Sequence, residues 1–395
     1  MLSWERIVKI SDDRGLEETI RERAWVEIDL SAIAQNVQNI KSLLSQNTAL
    51  MAVVKADAYG HGAIPVAQCV LKAGASWLGV ATIPEGIELR QAGISAPILI
   101  LGATTTTEQL RALVRWNLQP TLCSHQQALV FSEALTPDDP PLPVHLKLDT
   151  GMSRLGVLWE DAVDFAQWVQ RLPNLEIASV YSHFATADDP DATVMEQQHR
   201  RFQTAIDRIR QAGIALPCLH VSNSAATLSS TTLHYDMVRV GLALYGLYPA
   251  PHLRSTVDLR PVMQVKARIA QLKTVPVGTG ISYGHHFVTQ RDTRLAVVGI
   301  GYADGVPRNL SNQMDVLVSR SGRVWRVPQA GAITMDQIML DVTDVPHLSV
   351  GDVVTVLGQQ GRERISADDW AQTLNTISWE ILCGFKHRLP RVRVG

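Results

Sequence analysis

An apolar, β-prone run, Met51-Ala-Val-Val, ends in Lys55, and a tyrosine, Tyr59, follows four residues later inside the small-residue turn Ala56-Asp-Ala-Tyr-Gly-His-Gly62. A lysine at the C-terminal mouth of a buried strand is partly desolvated. That lowers the cost of holding its amine neutral and makes it a nucleophile towards an aldehyde. Most lysines that end a strand only reach back to water along an apolar stem. Here the neighbours argue for more: the glycines let backbone approach a ligand, and the Tyr59 phenol can donate to an anion.

Positioning such a lysine requires a strand and the elements around it. Between Leu50 and Leu247 eight β-rich runs recur: 51–55, 77–81, 97–101, 119–123, 144–149, 176–184, 218–222 and 237–242. Several are nearly continuous in apolar residues, as parallel strands covered on both faces should be, and helix-like segments such as 161–171 and 191–213 lie between them. Eight β-α units predict a (β/α)8 TIM barrel, with a doubly wound sheet as the competing arrangement. Beyond the linker-like stretch Pro249–Thr256, alternating segments at 263–272, 295–300 and 353–357 with Gly or Pro turns predict a mainly β C-terminal domain. The expected organisation is an N-terminal extension over 1–23, a barrel over 24–255 and a β domain over 256–395. The strand at 24–30 precedes the first barrel strand and is free to pair with the β domain instead.

Barrel active sites sit at the C-terminal ends of the strands, and here those ends are unusually polar. They carry Lys55 and Tyr59, then Asp149-Thr-Gly-Met-Ser-Arg154, His183, Asn223-Ser224, and Arg239 with Gly241. Loops after the seventh and eighth strands of barrels often build phosphate sites, and Ser224 with the backbone near Gly241 is placed for one. A lysine that traps an aldehyde, facing a phosphate cup, implies pyridoxal 5'-phosphate.

Composition narrows the partners. The chain has 395 residues, 46% of them hydrophobic, with 36 basic against 38 acidic side chains and a formal net charge of −2. No long basic run is present, so neither nucleic acid nor an anionic membrane is the expected partner, and small neutral or zwitterionic ligands fit better. The four cysteines, Cys69, Cys123, Cys218 and Cys383, form no CxxC or zinc spacing, which suits free thiols in a reducing compartment. With no signal-peptide-like or membrane-length apolar run, the cytoplasm is the expected location. His285-His286 lacks a third ligand at metal spacing, so no metal site is predicted. Gly278-Thr-Gly-Ile-Ser-Tyr-Gly284 falls in the β domain and not at a strand-to-helix turn, which argues against nucleotide binding.

The motifs together resemble the alanine racemase family of barrel-type, fold type III pyridoxal phosphate enzymes, from about Ala24 to Val392. Those that carry the resemblance are Val54-Lys-Ala-Asp-Ala-Tyr-Gly-His-Gly62, Leu148-Asp-Thr-Gly-Met-Ser-Arg-Leu-Gly156, His183-Phe-Ala, Asn223-Ser-Ala and Met237-Val-Arg-Val-Gly-Leu-Ala-Leu-Tyr-Gly246. In the β domain they are Ile281-Ser-Tyr-Gly284, Gly301-Tyr-Ala-Asp-Gly305 and Thr334-Met-Asp-Gln337. The resemblance implies a homodimeric isomerase interconverting L- and D-alanine and supplying D-alanine for peptidoglycan. It makes Lys55 the cofactor lysine and the base on one face of the substrate, and Tyr283 of the partner subunit the base on the other. Tyr59, Ser224 and the backbone of Gly241 and Leu242 would hold the phosphate, Asn223 would be a further cofactor-binding residue, Arg239 would face the ring nitrogen, and His183 would stand between Arg239 and Tyr283. Arg154 and the backbone N–H of the partner subunit's Met335 would hold the substrate carboxylate. Lys147 would orient Arg154, with carbamylation as an option, while the partner subunit's Tyr302 and the partner subunit's Asp336 would line the entrance. An arginine keeps its proton, so it donates to the ring nitrogen without protonating it.

Two positions depart from the family pattern. Ser153 stands where many relatives have glycine, and Trp379 stands where a tyrosine commonly reaches the phosphate; an indole N–H donates but cannot accept. Other readings are a racemase preferring serine or another small amino acid, a barrel-type decarboxylase or D-amino-acid lyase, and a non-catalytic pyridoxal phosphate carrier. Arg239 argues against the decarboxylase, and Tyr283 with Met335 against the carrier.

Overall fold

The computed structural model describes residues 21–136, 140–320 and 322–395. Its contacts divide it into two compact units, the first made of residues 31–58 and 62–260, the second of the described residues up to Leu30, Tyr59–His61 and Pro261–Gly395. Most of the expected extension, residues 1–20, lies outside the described residues.

The first strand, β1 (Ala24–Asp29), belongs to the second unit. The first unit is built on β2 (Ala49–Val53), β3 (Trp77–Val80), β4 (Ile98–Ala103), β5 (Gln119–Leu122), β6 (Leu142–Asp149), the two-residue β7 (Val157–Leu158) beside the end of β6, β8 (Leu175–Tyr181), β9 (Leu219–His220) and β10 (Met237–Val240). All run parallel, β7 lying off the path and the other eight following the order β10-β2-β3-β4-β5-β6-β8-β9. Backbone bonds from Asp236 N to Leu219 O (3.1 Å) and from Arg239 N to Ser222 O (3.0 Å) join β9 to β10 and complete the round of eight. The doubly wound alternative is thereby excluded.

Burial on both faces explains the apolar runs. Successive residues Ile98, Leu99 and Ile100 are all fully buried although their side chains alternate across the strand. Each covering helix turns one stripe inward. In Thr193–Gln211 the buried residues Gln198, Phe202, Ala205, Ile206 and Ile209 follow helical spacing, and the remainder is largely charged. Helix starts are written locally: Thr106 Oγ1 accepts from Gln109 N at 3.2 Å while the Gln109 side chain accepts from the Thr106 N–H, a capping box. The unit ends at Arg260 and not at the predicted 255. Asn36 donates to Arg260 O (2.9 Å) and accepts from Arg260 N (2.8 Å), and the Tyr248 hydroxyl bonds to Val257 O and Leu259 N, so residues 257–260 are fastened to the barrel.

The second unit is centred on the long strand β11 (Met263–Val275). Met263, Val265, Ala267 and Ile269 are buried with strict alternation. A bulge between Ile269 and Gln271 changes its neighbours: the first half pairs with β1 and with Val353–Gln360, the second with Thr293–Val298. β1 is antiparallel to β11, Ala24 opposite Ala267, and parallel to Arg391–Val394. The carboxylate of fully buried Asp304 receives both Arg23 guanidinium nitrogens at 2.7 Å and the Gly301 N–H at 2.9 Å.

Candidate active site

The turn that follows Lys55 is strained. Ala56, Asp57, Ala58 and Tyr59 all have φ between 52 and 55°, and Gly60 has 81°, so Lys55–Gly60 forms a left-handed helical turn. Each non-glycine residue in that conformation costs about 1–2 kcal/mol, and so surrounding bonds must hold it. Ala58 N donates to Val54 O, and Ala56 N donates to Glu85 Oε1 at 2.8 Å. The other Glu85 oxygen accepts from Ala81 N (2.7 Å) and Thr82 N (3.0 Å), and Asp57 Oδ1 accepts from Ala63 N (2.7 Å). Lys55 is half-buried at the head of this turn. Tyr59–His61 group with the second unit, where Arg391 Nε donates to Gly60 O at 3.1 Å. A Cβ on Gly60 would lie 2.7 Å from Leu382 O, so glycine is required there. Burial pushes the Tyr59 phenol pKa up, which keeps it protonated and able to donate.

Arg239, on β10, is the most buried cation of the barrel unit. Its Nη2 donates to Ser182 O (2.8 Å), Val221 O (3.1 Å) and His183 Nδ1 (3.2 Å), and its Nη1 to His220 Nδ1 (2.8 Å). Among the described residues no carboxylate pairs with it. Desolvation pulls its pKa down to about 10, which leaves it charged at neutral pH. Guanidinium nitrogens only donate, so His183 must present an unprotonated Nδ1. Burial first, then the charges of Arg239, Lys147, Arg154 and Lys55, hold His183 well below its ordinary pKa and therefore neutral. Lys147, on β6, is buried, and its pKa falls to about 8 through burial and then the charge of Arg239.

The loop after β6 carries Arg154, which is exposed. Asp149 Oδ1 accepts from Gly151 N (2.9 Å) and Ser153 N (3.0 Å) and shapes the turn. A Cβ on Gly156 would meet Lys147 O at 2.7 Å, so glycine lets the loop fold back on its own strand. Ser153 has φ 55°, the left-handed region, which explains why glycine suits that position. Next to β9, Asn223 caps the short helix Ser224–Ser229 by accepting from Ala226 N (3.0 Å). The Ser224 hydroxyl accepts from Gly241 N (3.0 Å) and Ala243 N (3.4 Å), which brings Ser224, Gly241 and Leu242 into one cup.

The charges of Lys55, Lys147, Arg154 and Arg239 thus all act on His183, and among the described residues no carboxylate pairs with Arg239. A dianionic phosphate ester with an aldehyde and a basic ring nitrogen meets each need of that donor set. The fit to pyridoxal phosphate is good.

The second unit holds the remaining sequence-predicted residues on three loops and one short helix. Ser282 donates to Ala332 O (2.7 Å), and Tyr302 N and Ala303 N donate to Thr334 O and Met335 O, both at 3.0 Å. A Cβ on Gly301 would come within 2.3 Å of Thr334 O, so this close approach needs glycine. Tyr283, Met335 and Tyr302 stand 72%, 52% and 40% exposed. Asp336 accepts from Arg388 Nη2 at 2.7 Å, and Arg388 Nε also lies 3.6 Å from Asp304. Trp379 is half-buried on the helix Ser378–Gly384.

Sequence reasoning missed Glu85 and a group of polar side chains inside the barrel: Gln119, Thr121, His145, Ser179, Tyr181 and His220. Their signal was polarity inside runs otherwise apolar enough to be buried strands. No cluster of three or more His, Cys, Asp or Glu side chains suited to a metal occurs among the described residues, and no helix among them is long and apolar enough to cross a membrane.

Comparison with known proteins places this arrangement. Residues 28–249 match the alanine racemase N-terminal domain and residues 262–393 the alanine racemase C-terminal domain. The chain is 64% identical over 375 residues to the alanine racemase of a Nostoc species, covering 94% of this chain and 96% of that protein. To the Synechocystis enzyme it is 59% identical, covering 95% and 100%. Among solved structures it is similar to the Streptomyces lavendulae alanine racemase (TM-score 0.87, 37% identity, 94% and 97% coverage). It is also similar to the Bacillus anthracis enzyme with bound L-Ala-P (TM-score 0.87, 35% identity, 94% and 95% coverage). With both domains matched and nearly the whole length shared at such identity, the chain belongs to the alanine racemase family.

Proposed function

We propose that this chain interconverts L- and D-alanine with pyridoxal phosphate held at the mouth of the barrel, and so supplies D-alanine for peptidoglycan. The observation that carries the cofactor reading is Arg239, a buried cation whose partners among the described residues are neutral acceptors. Lys55 would be the attachment point for the cofactor's aldehyde; Ser224, Asn223 and the backbone of Gly241 and Leu242, with Tyr59, would hold its phosphate. Trp379 would border that phosphate with an N–H that can only donate. Bound there, the cofactor supplies an electron-withdrawing ring that acidifies the substrate's α-hydrogen.

The protein's own part is to hold and move protons on two faces. A single base tends to return a proton to the side it left, so inversion calls for a second base opposite. The Lys55 amine serves one face. The Tyr283 phenol of a second copy of the chain would serve the other, which accounts for its large exposure in a single chain. A phenol ordinarily loses its proton near pH 10, so its phenolate costs about 4 kcal/mol at neutral pH, and nearby positive charge must offset much of that. Arg239 keeps its proton at the ring nitrogen's end, which limits electron withdrawal and so restrains side reactions. Arg154, steadied by Lys147, would orient the substrate carboxylate together with the Met335 N–H of the second copy, whose Tyr302 and Asp336 would border the entrance. With its pKa near 8, Lys147 has a neutral amine fraction available for carbamylation.

The test is chiral chromatography of L-alanine and L-serine after incubation with cofactor-loaded protein in deuterated water. D-Alanine deuterated at the α-carbon should dominate. A larger yield of D-serine would move the reading to a serine racemase, and no inversion of either would overturn it in favour of a lyase or a carrier.

A further inference from the structure

A single file of hydrogen bonds runs from Arg239 across the barrel wall, one residue from each of five neighbouring strands. Arg239 Nη1 meets His220 Nδ1 at 2.8 Å; His220 Nε2 meets Ser179 Oγ at 2.9 Å; Ser179 Oγ meets His145 Nδ1 at 2.6 Å; His145 Nε2 meets Gln119 Oε1 at 2.7 Å. Sheet register sets the spacing, with His145 opposite Ser179 and Tyr181 opposite His220. Ser179 and His220 are wholly buried and His145 is 1% exposed.

Chemistry leaves this file one direction. Arginine has no acceptor, so His220 must offer a bare Nδ1 and, being neutral, carries its proton on Nε2. That proton goes to Ser179 Oγ, the serine hydroxyl must then donate to His145 Nδ1, and His145 keeps its proton on Nε2 for the Gln119 carbonyl oxygen. Burial keeps both histidines below their ordinary pKa, consistent with neutral rings. Tyr181 stacks on His220 at 4.7 Å and 9°, which holds the ring in plane, and its hydroxyl is tied to Thr121 Oγ1 at 2.7 Å.

We propose that Gln119, His145 and Ser179 are positioning residues for Arg239: the terminal amide acceptor of Gln119 polarises the file so that His220 always shows the guanidinium a lone pair and never an N–H. A donor at the Gln119 end would face the His145 Nε2–H, and relieving that clash by reversing the file would set an N–H of His220 against an N–H of Arg239. The link from this file to catalysis rests on the racemase reading, because it acts through Arg239.

Neutron diffraction from crystals of the deuterated holoenzyme tests the polarity without any substitution. Deuterons should sit on Nε2 of both His145 and His220, with none on Nδ1; a deuteron on His220 Nδ1, or a doubly protonated ring, overturns the proposal. Kinetics test the consequence. Gln119→Leu should lower kcat about tenfold, the loss of one hydrogen bond in a buried network, at nearly constant KM. Gln119→Glu retains an acceptor oxygen and should restore most of kcat. Parental kcat in Gln119→Leu, or equal losses in both variants at equal thermal stability, would overturn it. If the parent holoenzyme fails to racemise alanine, the function reading falls, while the deuteron positions still decide the polarity of the file.

Discussion

The barrel mouth and the loop face of the second unit carry polar and aromatic groups in opposite ways. Around Arg239 nearly every polar atom is buried and bonded inside one chain, through Ser182, Val221, His183 and His220. On the other unit Tyr283, Met335 and Tyr302 are held by well-bonded backbone, yet their side chains face outward. The first arrangement is preorganised for charge, since its dipoles and cations are fixed before anything binds. The second presents side chains on fixed loops to solvent, which suits the proposed donation of these groups to another copy. Large exposed aromatic and methionine side chains are also the types enriched where proteins associate.

Breaking each region should therefore produce different losses. The largest is expected from Lys55→Ala: racemisation should fall by about 10³-fold or more, and the visible absorbance of lysine-bound cofactor should vanish. Retained racemisation without added amine would contradict the assignment. Tyr283→Ala should keep that absorbance while racemisation drops about 10²–10⁴-fold, equally in both directions because the equilibrium constant is fixed. Proton NMR in deuterated water should still show α-hydrogen exchange from one enantiomer, the one whose α-hydrogen would face Lys55, and little from the other. Equal exchange from both enantiomers would remove Tyr283 from its role.

Asp304→Asn probes how the second unit holds its loops. The carboxylate is buried and paired with Arg23, which is about one-third exposed. A loss of about 2 kcal/mol is expected, at the lower end for a broken buried pair. Denaturant unfolding followed by tryptophan fluorescence would detect it, and an unchanged midpoint would argue against the role. The smallest effect concerns pH. Folding lowers the His145 pKa from 6.5 to about 3. Between those values the unfolded chain binds a proton that the folded chain does not. Stability contributed by the neutral ring is thus present above about pH 6.5 and is lost as pH falls towards 3. His183 and His220 shift in the same direction. His145→Gln should lose less stability than the parent between about pH 7 and pH 4.5, measured by urea midpoints. Equal losses would mean that His145 is not held neutral.

Much of the barrel was legible in the chain because parallel strands buried on both faces leave a local record, a short apolar run ending in a polar residue. The ends of those runs named Lys55, His183, Ser224 and Arg239 directly. The strand at 24–30 carried the same signature, and nothing local distinguished its partner. Pairing with β11 is a contact between residues more than 200 positions apart. The file from Arg239 to Gln119 was equally hidden, since a histidine in an apolar strand has no meaning until its neighbours across the sheet are known.

By itself, then, the sequence determined which residues can do chemistry and the order of strands that present them, because side-chain type and hydrophobic period are local properties. Tertiary structure decided three further things. It imposed the left-handed turn after Lys55, which no stretch of alanine and aspartate would adopt without outside bonds from groups such as Glu85. It favoured the neutral rings of His183, His145 and His220 through burial, with the charge of Arg239 adding to the effect at His183 and His220. And it left Tyr283 exposed, because exposure is a property of packing, which the local sequence does not encode.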